Sequence, residues 1–86
     1  MKQFTYTITD PVGLHARPAS QLVKEIKKFD GITVTIGKGD KSINALSLMV
    51  LMTMGIRQGD TITVSVEGEN EDTVAETLET YFGDKL

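Results

Sequence analysis

The chain contains no cysteine, no tryptophan and a single histidine, and only 6% of its 86 residues are aromatic. Without a thiol, disulfides, thiolate nucleophiles and sulfur-ligated metals are excluded. One histidine cannot build a multi-histidine zinc site, so only a carboxylate-rich metal site would remain, and none is expected. Long apolar runs are missing too: the longest nearly apolar stretch, Ala45 to Met54, has ten residues, against the about 20 that a spanning helix needs. No basic, apolar, small-residue signal segment opens the chain. It reads as soluble and cytoplasmic, with no membrane insertion. A net charge of −3 and few aromatics argue against nucleic acid as a partner, since such domains are normally basic with interleaved aromatics.

What is present is an ordinary globular composition, 40% apolar and 24% charged, in a length that holds one domain over residues 1–86. So short a chain buries only roughly 60 to 65% of its unfolded surface. Little interior is left for an enclosed cavity, which favours a surface site. The charge is segregated: residues 1–66 carry +3 and residues 67–86 carry −6. The positive body suits an acidic partner surface. The acidic run, regularly interrupted by apolar residues, reads as the solvated face of a last helix.

Phe4, Tyr6 and Ile8 alternate with Thr5, Thr7 and Thr9, the period of a strand with one buried face. Asp10-Pro11 ends it. From Ala16 the stripe Ala19, Leu22, Val23, Ile26 and Phe29 predicts an amphipathic helix closed by Asp30-Gly31. Ile32, Val34 and Ile36 form a second strand, Gly37 to Asp40 a turn, and Ser42 to Asn44 a short return strand. Ser47 caps a short helix running to about Met54, with Gly55 as its stop. After the Gly59-Asp60 turn, Ile62, Val64 and Val66 make a fourth strand. Asn70 caps a last helix striped by Val74, Ala75, Leu78, Tyr81 and Phe82. The order βαββαβα suggests one mostly antiparallel sheet with helices on one face.

The segment Gly13-Leu14-His15-Ala16-Arg17-Pro18-Ala19-Ser20 carries the chemistry. A first helical turn leaves backbone N–H groups unpaired, and Ser, Thr, Asp or Asn normally accepts one of them. Here His15, Ala16 and Arg17 offer no such cap, so the donors look reserved for an outside acceptor. A phosphate fits, because helix N-termini attract anions and Arg17 adds a planar fork for its oxygens. Pro18 costs little in the first turn. It also resists helical geometry in Arg17, leaving Pro18 as an alternative helix start. His15 can act as a nucleophile toward a phosphoryl group. A lone histidine is more often a surface or capping residue, but this placement beside Gly13, Arg17 and an uncapped turn favours function.

Leu48, Met49, Val50, Leu51, Met52 and Met54 make the second helix apolar almost all round, whereas a helix on a sheet buries one face. Part of that set, Leu48, Met49 and Met52, is therefore expected as an exposed interaction patch, for which flexible thioethers are suited. The competing reading places Met49 and Met52 in the core. Lys24, Lys27 and Lys28 are a solvated face by default and can rim the same partner surface.

G-L-H-A-R-P-A-S from Gly13 to Ser20, with S-L-M-V-L-M-T-M-G from Ser47 to Gly55, resembles the HPr family of bacterial phosphocarrier proteins of the sugar phosphotransferase system. Length and element order agree over essentially the whole chain. The resemblance implies an α+β open-faced β-sandwich, a four-stranded antiparallel sheet in order 1-4-2-3 with three helices on one face. It implies that His15 is phosphorylated on Nδ1 by enzyme I, with phosphoenolpyruvate as ultimate donor, and passes the group to enzyme II A domains. Arg17 would bind that group, assisted by the N–H groups of Ala16 and Arg17. Ser47 would match a serine phosphorylated by HPr kinase/phosphorylase, a mark that helps recruit a catabolite-control repressor. Such a carrier is itself a substrate and not an enzyme, with no metal or cofactor of its own. Ser47 stands one residue further from the histidine than the family spacing, for which a longer turn at Gly37 to Asp40 would account. Leu46 and Val50 make the patch greasier than the family pattern. The rival readings are a paralogue in a dedicated regulatory phosphorelay and an anion-binding adaptor in which His15 and Arg17 bind without turnover.

Overall fold

A computed structural model describes residues 1–85. Its order is β1 (Lys2–Thr7), α1 (Ala16–Ile26), β2 (Ile32–Lys38), β3 (Lys41–Asn44), α2 (Leu48–Met52), β4 (Thr61–Gly68) and α3 (Glu71–Lys85). The strands form one antiparallel sheet in the order β1-β4-β2-β3. Register explains why one side is dry. Phe4, Val64, Ile36 and Ile43 are cross-strand neighbours on one face, beside Tyr6 with Ile62 and Val34 with Val66. The three helices cover that face, giving the open-faced α+β sandwich expected. The other face carries Gln3, Thr5, Thr7, Thr35, Ser42, Thr61, Thr63 and Ser65 and stays open to solvent.

Ala19, Leu22, Val23 and Ile26 of α1 and Val74, Leu78 and Phe82 of α3 are buried against the sheet. Each of the larger side chains, Ala19 excepted, contributes about 1.5 to 3 kcal/mol through burial. The Phe82 ring lies edge-to-face on Phe4 and on Tyr6, with centroids 5.7 and 5.6 Å apart. That geometry suits the ring quadrupoles and locks α3 to β1.

Four local expectations are corrected. Helix α1 stops at Ile26, so Phe29, though in phase with its stripe, packs on the core from the following turn. Helix α2 ends at Met52, and Met54 reaches the core beyond it. The β2–β3 turn is only Gly39 and Asp40, between the paired Lys38 and Lys41. Gly37 lies inside the sheet, paired with both Ser42 and Thr63. The extra residue before Ser47 is thus not held in a longer turn. Asn70 takes φ +58°, the left-handed region it tolerates, in place of the extended geometry of a capping residue. Negative charge at the start of α3 comes from Glu71 and Asp72. Among the described residues no helix is long and apolar enough to cross a membrane.

Candidate functional site at the start of α1

Beyond β1, Ile8 still pairs with the loop before β4: its N–H donates to the Asp60 carbonyl at 2.9 Å and its carbonyl accepts from Gly59 at 2.8 Å. The chain then folds over Asp10, whose Oδ1 accepts the Val12 N–H at 2.9 Å and whose carbonyl accepts the Gly13 N–H at 2.9 Å. Gly13 has φ +79°, and a Cβ there would lie 2.7 Å from the Ile56 carbonyl oxygen and 2.8 Å from Arg57 Cα. Only glycine permits both the conformation and the approach. The Leu14 N–H donates to that Ile56 carbonyl at 3.1 Å, while the Leu14 side chain is buried. His15 is thereby held at the end of a loop propped from below by Ile56 and Arg57.

His15 is the N-cap of α1, with extended backbone (φ −99°, ψ −178°) and no side-chain cap hydrogen bond. Its carbonyl accepts the Ala19 N–H at 3.0 Å, the first bond of the helix. The N–H groups of Ala16 and Arg17 precede that bond and lie outside the helical ladder. Pro18 removes a third donor from the turn without costing the helix a bond. The helix starts at Ala16 and not at Pro18. His15 is half-buried, whereas Ala16 and Arg17 are exposed. The arrangement presents an imidazole, two backbone donors and a guanidinium to solvent at the positive end of a helix dipole.

Below the loop, Asp60 Oδ2 accepts the Arg57 N–H at 2.8 Å and pairs with Lys38 Nζ at 2.8 Å. The Lys38 hydrogen bond, with help from the Arg57 amide, holds the Asp60 carboxyl below the usual carboxylate range. Lys38 also donates to the Gly55 carbonyl at 2.9 Å. This brace of Lys38, Gly55, Ile56, Arg57 and Asp60 was not anticipated from the sequence. Its only local trace there is the Gly59-Asp60 turn.

Helix α1 packs against α2, so the other singled-out residues lie on neighbouring helices. Arg17, Gln21 and Lys24 are spaced to share one exposed stripe of α1, which Lys27 at its C-cap continues. Lys28 is engaged with Glu25 at 3.0 Å. Ser47 is the N-cap of α2, and its Oγ accepts the Val50 N–H at 3.4 Å. Leu48, Val50 and Met52 are partly exposed and Met49 is 80% exposed, while Leu51 anchors the helix in the core at 1%. The core reading of Met49 and Met52 is therefore wrong.

Fold and site together define a class: a small α+β sandwich with a half-buried histidine at the exposed, uncapped start of a helix. Residues 2–84 match the family described as PTS HPr component phosphorylation site. The chain is 50% identical over 78 residues to the phosphocarrier protein HPr of Buchnera aphidicola from Acyrthosiphon pisum, covering 91% of each chain. Among solved structures it is similar to HPr-C-His of Thermoanaerobacter tengcongensis, with a TM-score of 0.90 and 35% identity over 99% of this chain and 94% of that one. It is likewise similar to the histidine-containing phosphocarrier protein of a Mycoplasma, with a TM-score of 0.88 and 40% identity over 96% and 93% of the two chains. The chain belongs to the HPr family: it is a phosphoryl carrier of the phosphotransferase system, a transfer intermediate and not a catalytic enzyme.

Proposed function

We propose that His15 is the phosphoryl acceptor of this carrier, in the cytoplasm, taking the group from phosphorylated enzyme I and passing it to enzyme II A domains. The observation that carries this is the start of α1, where the only histidine takes the N-cap position but leaves the turn uncapped. In the step, the Nδ1 lone pair of His15 attacks phosphorus, the donor's bond to phosphorus breaks, and the donor keeps that electron pair. The Ala16 and Arg17 N–H groups and the Arg17 guanidinium meet the charge on the phosphoryl oxygens. Incubation with enzyme I and labelled phosphoenolpyruvate tests it. The chain should take an acid-labile label that His15→Ala abolishes with its fold intact, and undiminished labelling of that variant would sink the assignment.

Docking is assigned to Leu48, Met49 and Met52, with Lys24 and Lys27 at the rim, where they suit an acidic partner surface. Support comes from the exposure of Met49 next to a helix whose lysines at positions 24 and 27 form no ion pair among the described residues. Met49→Glu should weaken enzyme I binding by several-fold to a hundredfold, about 1 to 3 kcal/mol, with little change in stability. Ser47 is assigned as a regulatory site for an HPr kinase/phosphorylase, its phosphorylated form recruiting a catabolite-control repressor. Its place at the start of α2, beside the exposed patch, supports this: a phosphate there would meet helix N–H groups and repel an acidic partner.

A further inference from the structure

The chain has two arginines, Arg17 and Arg57. Both border the loop that presents His15, and neither forms an ion pair among the described residues. Arg57 is brought there by tertiary contact alone. Its Cα lies 2.8 Å from where a Gly13 Cβ would stand, and the carbonyl preceding it holds the Leu14 N–H. His15 Cα is at most roughly 7.6 Å from Gly13 Cα, two steps of the chain. An arginine side chain, five bonds of about 1.5 Å in zigzag, carries its guanidinium carbon roughly 6 Å from Cα. The Arg57 and His15 Cα atoms are thus at most roughly 12 Å apart, a gap that the guanidinium and the similar reach of a phosphorylated imidazole close when the two side chains turn toward each other.

The Arg57 guanidinium acts on Asp60 as a nearby charge but forms no ion pair with it. Asp60 Oδ2 is taken by Lys38 Nζ and by the Arg57 backbone N–H, each at 2.8 Å. Asp10 Oδ1 is taken by the Val12 N–H at 2.9 Å. Arg57 itself is exposed. A phosphoryl group brings about two negative charges and three acceptor oxygens, more than the two free amides and one guanidinium of the α1 turn neutralise. We propose that Arg57 is a second phosphate-binding residue, which contacts the phosphoryl oxygens from the loop side once His15 carries the group. Its fork suits that contact better than an ammonium would. The inference rests on His15 being the acceptor, and it adds a residue from the far side of the loop to the α1 turn.

The test uses the whole chain and a small donor, phosphoramidate, so that no partner protein intervenes. His15 Nδ1 attacks its phosphorus, the P–N bond breaks, and ammonia leaves with the proton. The lifetime of the phosphohistidine and the midpoint of its phosphorus NMR titration are then measured for wild type, Arg57→Gln, Arg57→Lys and Lys41→Gln. Arg57→Gln should raise the midpoint by about half a pH unit, because a nearby cation favours the dianion, and shorten the lifetime several-fold. Arg57→Lys should recover most of the midpoint. Lys41→Gln, which removes the same charge from β3, should behave as wild type. Equal values for Arg57→Gln and wild type overturn the proposal, as does an equal shift in Lys41→Gln, which would mark a general charge effect. A wild-type chain that takes no label, or a label that survives His15→Ala, overturns the His15 assignment instead.

Discussion

Helices α1 and α2 both begin at an extended N-cap residue, with different ψ and opposite chemistry. The φ values are −99° at His15 and −101° at Ser47. At α2 a hydroxyl accepts one of the orphan donors, as stability alone would select. At α1 no side chain does, and the residue in that place is the single histidine. Leaving out a cap forgoes typically about 1 kcal/mol. The difference teaches where this small domain departs from its own most stable form: at the turn whose donors face solvent beside Arg17. Such a local conflict with helix preference is expected at functional positions.

The comparison is broken most severely at the prop beneath α1. Gly13→Ala places a Cβ against the Ile56 carbonyl and Arg57 Cα in a left-handed conformation, and should cost about 2 to 4 kcal/mol in urea unfolding. Amide exchange should show the loss at the α1 turn and not at α2. Unchanged stability would mean that the loop is not held by that contact.

Giving α1 the cap it lacks sharpens the contrast. His15→Ser should raise stability by about 0.5 to 1 kcal/mol while abolishing phosphorylation. A destabilised His15→Ser would show that the imidazole, not the open turn, supports the helix.

The converse change at α2 is smaller in its functional effect. Ser47→Ala should lose about 0.5 to 1 kcal/mol, the lower part of the range for caps, since its bond to Val50 is long at 3.4 Å. Ser47→Asp should keep or slightly raise the melting temperature and slow His15 phosphorylation by enzyme I through repulsion beside the patch. Phosphorylation of Ser47→Asp at the wild-type rate would reduce Ser47 to a cap.

The smallest effect is expected in acid. Asp60 under α1 is held low by Lys38, and Glu71 at the start of α3 is held low by the N-terminal ammonium and the Gly68 N–H. Carboxyls depressed in the folded state add stability above their unfolded pKa, and that stability is lost as pH falls through the folded one. Unfolding midpoints should be flat near neutrality and decline modestly below about pH 4. Asp60→Asn should flatten part of that decline, measured by chemical denaturation at several pH values.

Much of this molecule is determined by its sequence alone, because it depends on periodicity and residue chemistry. Alternation at Phe4 and Tyr6 and at Ile62, Val64 and Val66 decides which sheet face is dry. The missing cap at His15 is likewise visible as residue type, and so is the excess of apolar residues on α2 that leaves Met49 in solvent. Other features were decided only by tertiary structure. Phe29 continues the α1 stripe in phase, yet the helix ends at Ile26 and the ring meets the core from a turn. Asn70 has the composition of a cap but takes the left-handed conformation that carries β4 into α3. The brace under His15 joins Gly13 and Leu14 to Ile56 and Arg57 across more than forty residues. A contact between distant backbones has no period and no residue signature, so beyond the Gly59-Asp60 turn nothing local announces it. It exists because the sheet sets the β1 end beside the loop before β4.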